Sequence, residues 1–188
     1  LPDAQIKSNE PDVYIAHCPE RVLPGNVLHE LIYNDRTIGG ITSSCTYKAR
    51  DFYNTFVRGK CNLTDAKTAE LSKLVENSFR DINIAFANEI SLICDELEID
   101  PWKLIEIANY HPRVDILSPG PGVGGHCIAV DPWFIVDSAP ENSKIIKIAR
   151  EINDSKPSYV IAKVQEKIRD LSVDNSEIKI LTLGLTFK

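Results

Sequence analysis

Apolar positions along this chain follow two periods, and the change from one to the other marks its organisation. Before residue 60 they come in short runs, Val13-Tyr14-Ile15-Ala16 and Thr37-Ile38-Gly39-Gly40-Ile41, which predict two strands. The second run is bounded by Asn34-Asp35 on one side and a Ser43-Ser44 turn on the other. Residues 26–32 fit a short helix between the strands, and residues 47–56 a helix after them. From Thr64 the period becomes helical, with Leu71, Leu74, Val75, Phe79, Ile82, Phe86, Ile90, Ile93 and Leu97 on one stripe. No glycine or proline interrupts 65–97, which predicts a single helix about 50 Å long at 1.5 Å per residue. Thr64 is its expected cap, and Asp65 suits the dipole at its start. A helix of that length spans domains or forms a subunit interface.

Pro101 opens a shorter helix behind Asp100 as its cap, and Pro112 requires that helix to end near Tyr110. Residues 142–171 form a second long helical pattern, with Pro157 expected to bend or divide it. Ile178-Lys179-Ile180-Leu181-Thr182-Leu183-Gly184 reads as a buried strand. The fold class is mixed α/β and mainly helical, divided at 1–64, 65–172 and 173–188. The chain contains no methionine and stops just after its last strand-like run, which is expected of a piece cut from a longer protein.

Composition narrows the functional classes. In 188 residues, 43% hydrophobic content supports a real core, and a net charge of −6 with no basic stripe argues against a nucleic-acid partner. No apolar run reaches the length of a membrane span. Cys18, Cys45, Cys61, Cys94 and Cys127 are widely spaced with no CxxC pair, so neither a zinc site nor a disulfide framework is expected. An odd number of thiols fits a reducing, cytoplasmic setting. His111 and His126 have no carboxylate paired with them in sequence, and no metal is expected.

The richest segment is Pro119-Gly120-Pro121-Gly122-Val123-Gly124-Gly125-His126-Cys127-Ile128-Ala129-Val130-Asp131-Pro132-Trp133-Phe134. Its glycines, Gly124 and Gly125 nearest the thiol, let backbone approach a ligand closely. A thiol leaving such a turn is placed to act as a nucleophile, with Asp131 four residues further on. The segment also satisfies G-x-G-x-x-G at 120–125, but that fingerprint requires a preceding strand, a following helix and a later carboxylate. Ser118-Pro119 precedes it, Pro121 removes an N–H from the would-be cradle, and Lys144-Ile145-Ile146 stands where the carboxylate belongs. It is not expected to hold a dinucleotide. Lys73 and Asn77, one helical turn apart, offer a cation and an amide donor suited to an oxyanion, or simply line a solvated face.

Together with Ala69-Glu70-Leu71-Ser72-Lys73-Leu74-Val75-Glu76-Asn77-Ser78-Phe79-Arg80 and Pro19-Glu20-Arg21-Val22-Leu23-Pro24-Gly25, the segment resembles the nucleotide-sugar 6-dehydrogenase family. The resemblance implies that residues 1–64 end an NAD-binding Rossmann-like domain. It implies that 65–172 form an all-α central domain through which a homodimer assembles, and that 173–188 open a UDP-binding domain. It also implies an NAD-dependent four-electron oxidation of a UDP-sugar, with Cys127 forming a thiohemiacetal and then a thioester. Lys73 and Asn77 would stabilise negative charge, Asp131 would serve the hydrolysis, and Glu20 would act in catalysis or substrate binding. Arg113, Gly124, Gly125, Phe187 and Lys188 would contact substrate, Arg113 that of the other subunit. Val130 stands where UDP-glucose enzymes carry a lysine, and Pro24-Gly25 where they carry a second glutamate. Both favour the branch converting UDP-N-acetylmannosamine to its uronate, with UDP-N-acetylglucosamine as the alternative sugar. A further alternative is that the chain alone is an oligomerisation module without catalysis, and alone it is expected to be inactive.

Overall fold

The computed structural model describes residues 11–23, 25–171 and 178–184. The chain forms two compact units that meet in sequence between Val75 and Glu76. Its elements are β1 (Ala16–His17), α1 (Val27–Tyr33), β2 (Arg36–Gly40), α2 (Ser43–Tyr53), β3 (Cys61–Asp65), α3 (Ala66–Glu96), α4 (Pro101–Ala108), α5 (Asp131–Ser138) and α6 (Lys144–Asp170).

The first unit is built on a three-stranded sheet in the order β1-β2-β3. β1 lies antiparallel to β2, while β3 pairs parallel to it from Arg36↔Cys61 to Gly40↔Asp65. The β2-α2-β3 segment is therefore a parallel crossover unit. Ile38 is fully buried at its centre. Gly39 and Gly40 are needed by close approach: a Cβ on Gly39 would stand 2.2 Å from the Asp65 carbonyl oxygen, and one on Gly40 would stand 2.3 Å from the Thr46 nitrogen.

Several boundaries depart from the sequence expectation. β1 shrinks to Ala16–His17, leaving Val13 and Tyr14 exposed. Ser43-Ser44 opens α2 rather than forming a turn, because the Thr42 hydroxyl accepts a hydrogen bond from the Cys45 N–H at 3.3 Å and caps the helix there. β3 was not foreseen, since Cys61-Asn62-Leu63-Thr64-Asp65 has almost no apolar alternation. Thr64 consequently lies in a strand, and Asp65 is the residue that accepts from the Thr68 N–H at 3.0 Å and the Thr68 hydroxyl at 2.7 Å.

The second unit is helical. Asp100 caps α4 through the Trp102 N–H at 2.9 Å, as expected. α6 continues through Pro157 from Lys144 to Asp170. Asp131-Pro132 opens α5, an element the periodicity did not announce. Residues 178–184, expected as a strand, are unpaired, and Ile180, Leu181 and Leu183 are exposed. A strand is stabilised by a neighbour, and none of the described residues pairs with this one.

The long helix α3 turns out differently from its periodicity. Phe79, Phe86, Ile93 and Leu97 of the apolar stripe are exposed, Phe79 by 66%. The side chains buried on α3 within this unit are small or polar: Asn77, Ser78, Asp81, Ala85, Ala87, Asn88 and Cys94. Asp81 and Asn88 meet Arg150 and Asn153 of α6 in a buried network. No helix among the described residues is long and apolar enough to cross a membrane.

Candidate active site

The segment between α4 and α5 carries no regular structure but is pinned at intervals. Asn109 fastens its start, accepting from the Ile116 N–H at 2.8 Å and donating to the Ile116 carbonyl at 3.0 Å. Gly122 packs against α6 so closely that a Cβ there would lie 2.9 Å from Pro157 Cγ. Gly125 has φ 85°, a left-handed conformation that side-chain-bearing residues rarely adopt. The element that leads into Gly120 is helix α4, not a strand, so the G-x-G-x-x-G at 120–125 lacks the strand–turn–helix setting of a dinucleotide cradle.

Cys127 emerges from this loop exposed, with His126 Nδ1 3.2 Å from its sulfur. Its carbonyl accepts from the Val130 N–H at 3.0 Å and the Asp131 N–H at 2.8 Å, a tight turn that launches α5. The carboxylate of Asp131 is therefore fixed just past the thiol. Asn77, almost wholly buried on α3, donates to Asp131 Oδ2 at 2.5 Å. The structure thus brings Asn77 and Asp131 together, a pairing that 54 residues of separation hid from the sequence reading. Lys73 lies one turn before Asn77 on the same helix, half-exposed, in the stretch assigned to the first unit. Arg113 is exposed in the loop, with its backbone N–H bonded to His111 Nδ1 at 3.3 Å. Gly124 is also exposed. Phe187 and Lys188 lie outside the described residues.

Glu20 belongs to the first unit. Its Oε2 accepts from buried Arg36 Nη1 at 2.9 Å, and its Oε1 accepts from the backbone N–H groups of Arg21 at 2.7 Å and Val22 at 3.1 Å. Partial burial pushes this carboxyl up, but the bonds from Arg36 and the two backbone donors outweigh that and hold it below the usual glutamate range. Arg36 also donates to the Leu31 carbonyl at 3.1 Å and lies 5.1 Å above the Tyr53 ring. It is the anchor that sequence reasoning missed; a cation opening an apolar strand was the available signal. Arg21 Nη1 donates to the Thr37 hydroxyl at 3.1 Å.

A cleft of about 400 Å³ in the second unit is lined by Ser91, Asp95, Trp102, Lys156, Tyr159 and the loop stem at Pro119, and Cys127 is not part of it. The thiol stands on open surface in this chain.

Comparison with known proteins finds two models of one family. Residues 2–57 match the NAD binding domain of the UDP-glucose/GDP-mannose dehydrogenase family, and residues 67–155 match its central domain. A UDP-N-acetyl-D-mannosamine dehydrogenase of Campylobacter jejuni is 60% identical over 177 residues, covering 94% of this chain and 42% of that protein. An NDP-N-acetyl-D-galactosaminuronic acid dehydrogenase of Ralstonia nicotianae is 59% identical over 182 residues, covering 97% and 42%. Among solved structures, the UDP-N-acetyl-mannosamine dehydrogenase Cap5O of S. aureus matches with TM-score 0.78 at 55% identity, over 87% of this chain and 39% of that one. The UDP-D-ManNAc dehydrogenase of Pyrococcus horikoshii matches with TM-score 0.80 at 44% identity, over 89% and 40%. The chain thus spans about two fifths of the length of these relatives. With both domain models in order along its sequence and relatives this similar over nearly all of it, the chain belongs to the UDP-glucose/GDP-mannose dehydrogenase family.

Proposed function

We propose that the protein containing this chain oxidises the C6 primary alcohol of a UDP-N-acetylhexosamine, UDP-N-acetylmannosamine by preference, to the carboxylate. The observation that carries the reading is the turn joining Cys127 to Asp131, whose carboxylate is held by Asn77. It sets a nucleophile beside a group able to direct water. Residues 1–64 serve the NAD domain, 65–172 the central domain, and 173–188 the entry to the UDP-binding domain. NAD⁺, when bound, supplies the hydride-accepting chemistry. Its glycine cradle is not among the described residues, and what this chain contributes is the β2-α2-β3 crossover at the carboxyl ends of whose strands such sheets place nucleotides.

Once the alcohol has become an aldehyde, the Cys127 thiolate adds to the carbonyl carbon and a C–S bond forms. Negative charge develops on the carbonyl oxygen, and Lys73 and Asn77 are the donors one helix turn apart that stabilise it. Oxidation of this thiohemiacetal leaves a thioester. Water directed by Asp131 attacks it, the thiolate departs, and the acid is released. Glu20, held ionised by Arg36, and Arg113 with Gly124 and Gly125 serve substrate binding. The relatives at 59% and 60% identity carry different sugars in their names, so the sugar is settled by turnover. The full-length protein is expected to reduce NAD⁺ faster with UDP-N-acetylmannosamine than with UDP-N-acetylglucosamine or UDP-glucose. A preference for UDP-glucose would overturn the branch assignment.

We also propose a homodimer through α3. The exposed Phe79, Phe86, Ile93 and Leu97 form an apolar stripe that a two-fold contact would cover. Replacing Ile82 and Phe86 together by glutamate is expected to yield monomer or aggregate in sedimentation. A native protein that sediments as monomer at micromolar concentration would contradict the interface.

A further inference from the structure

The loop that carries Cys127 is tethered at its stem by a relay of buried polar groups that the proposed mechanism does not use. Arg150 and Asp81 are each 1% exposed and joined at 2.5 Å. Asn153 Nδ2 donates to Asp81 Oδ1 at 2.8 Å and to the Asp81 carbonyl at 3.0 Å. Asn88 Nδ2 donates to Asn153 Oδ1 at 2.9 Å, and Asn88 Oδ1 accepts from the Gly120 N–H at 2.9 Å. The sense of every bond follows from one end. A guanidinium only donates, so Asp81 must accept. Asn153 then turns its amino group towards Asp81 and its oxygen towards Asn88. Asn88 turns its amino group towards Asn153, which leaves its own oxygen facing the loop.

We infer that Asn88 is a positioning residue for the reaction, holding the stem of the catalytic loop through Gly120 with its amide orientation set by Asn153, Asp81 and Arg150. This rests on the reading of Cys127 as nucleophile. Gly122, seated against Pro157, provides the second point of support, so the loop is located on α3 by a hydrogen bond and on α6 by packing. The Gly120 N–H is part-buried, and once it loses Asn88 the stem of the loop is no longer held to α3 at that point and shifts. Misplacement by about 1 Å is enough to cost on the order of 10²-fold in rate.

The consequence has a signature that simple destabilisation lacks. The first oxidation does not need the thiol, whereas capture of the aldehyde does. In the full-length enzyme, Asn88→Leu is therefore expected to lower acid formation by about 10²-fold and to release part of the sugar as free aldehyde, detectable with a hydrazine trap. Asn88→Asp keeps an oxygen opposite the Gly120 N–H, while its second oxygen replaces the amino group that donated to Asn153 Oδ1, which lowers stability without removing the tether. It is expected to retain coupled oxidation even where its melting temperature falls. Amide exchange in the peptide containing Gly120 should quicken in Asn88→Leu and not in Asn88→Asp. That measurement reads the tether without any activity, so its failure is separable from failure of the proposed function. Should Asn88→Leu not fold, Gly120→Pro deletes the same bond from the loop side, where a Cβ meets nothing nearer than 3.9 Å. If acid formation tracks melting temperature equally in both Asn88 variants with no aldehyde released, or if exchange at Gly120 is unchanged in Asn88→Leu, the assignment is wrong.

Discussion

Full-length protein carrying Cys127→Ala is expected to make no sugar acid. The argument is covalent. Oxidising an aldehyde by hydride loss requires a nucleophile added to its carbon, and the enzyme must then release that nucleophile to water. A thiolate adds readily and leaves readily, so one group serves both steps. Cys127 is the exposed thiol at the exit of the glycine loop, whereas Cys45 and Cys94 are buried and Cys18 and Cys61 lie elsewhere in the chain at intermediate exposure. Cys127→Ser is expected to behave differently, trapping an ester that water cleaves slowly because an alkoxide leaves poorly. Product analysis by chromatography checks both. Near-normal acid formation by Cys127→Ala would remove the nucleophile assignment.

Asp131→Asn and Lys73→Ala are expected to separate the two halves of the reaction. Loss of a donor that stabilises developing negative charge typically costs about 10²–10³-fold, so Lys73→Ala should slow the rapid first phase of NADH formation. Asp131 directs water in the later hydrolysis, so Asp131→Asn should leave that phase fast and make the following turnover slow. Stopped-flow absorbance distinguishes them. Asn77 is a less clean probe than Lys73, because its amide donates to Asp131 at 2.5 Å and so joins the two roles. If Asp131→Asn slowed the first phase as much as Lys73→Ala, the division of labour would be lost.

The elements legible in the sequence were those with strong local signals. The Asp100-Pro101 start of α4 and the uninterrupted pattern of α3 were read nearly to the residue, because caps and periodicity are local. β3 was invisible because Cys61–Asp65 is a polar strand whose identity comes from its parallel partner rather than from its own alternation. The stripe on α3 was found, but its direction was not: Asp81 and Asn88 face the interior only because Arg150 and Asn153, about 70 residues later, answer them. The residues of the site were named from motifs. Their partners, Arg36 for Glu20, Asn77 for Asp131 and Asn88 for Gly120, depend on tertiary proximity that spacing does not encode.

The central claim is that the sugar passes through a covalent bond to Cys127, and peptide mass spectrometry of acid-quenched Asp131→Asn enzyme tests it most directly. With UDP-N-acetylmannosamine and NAD⁺ present, the peptide spanning Cys127 should gain the mass of the sugar-nucleotide acyl group and lose it on treatment with hydroxylamine. A full first phase of NADH with that peptide unmodified throughout would contradict it.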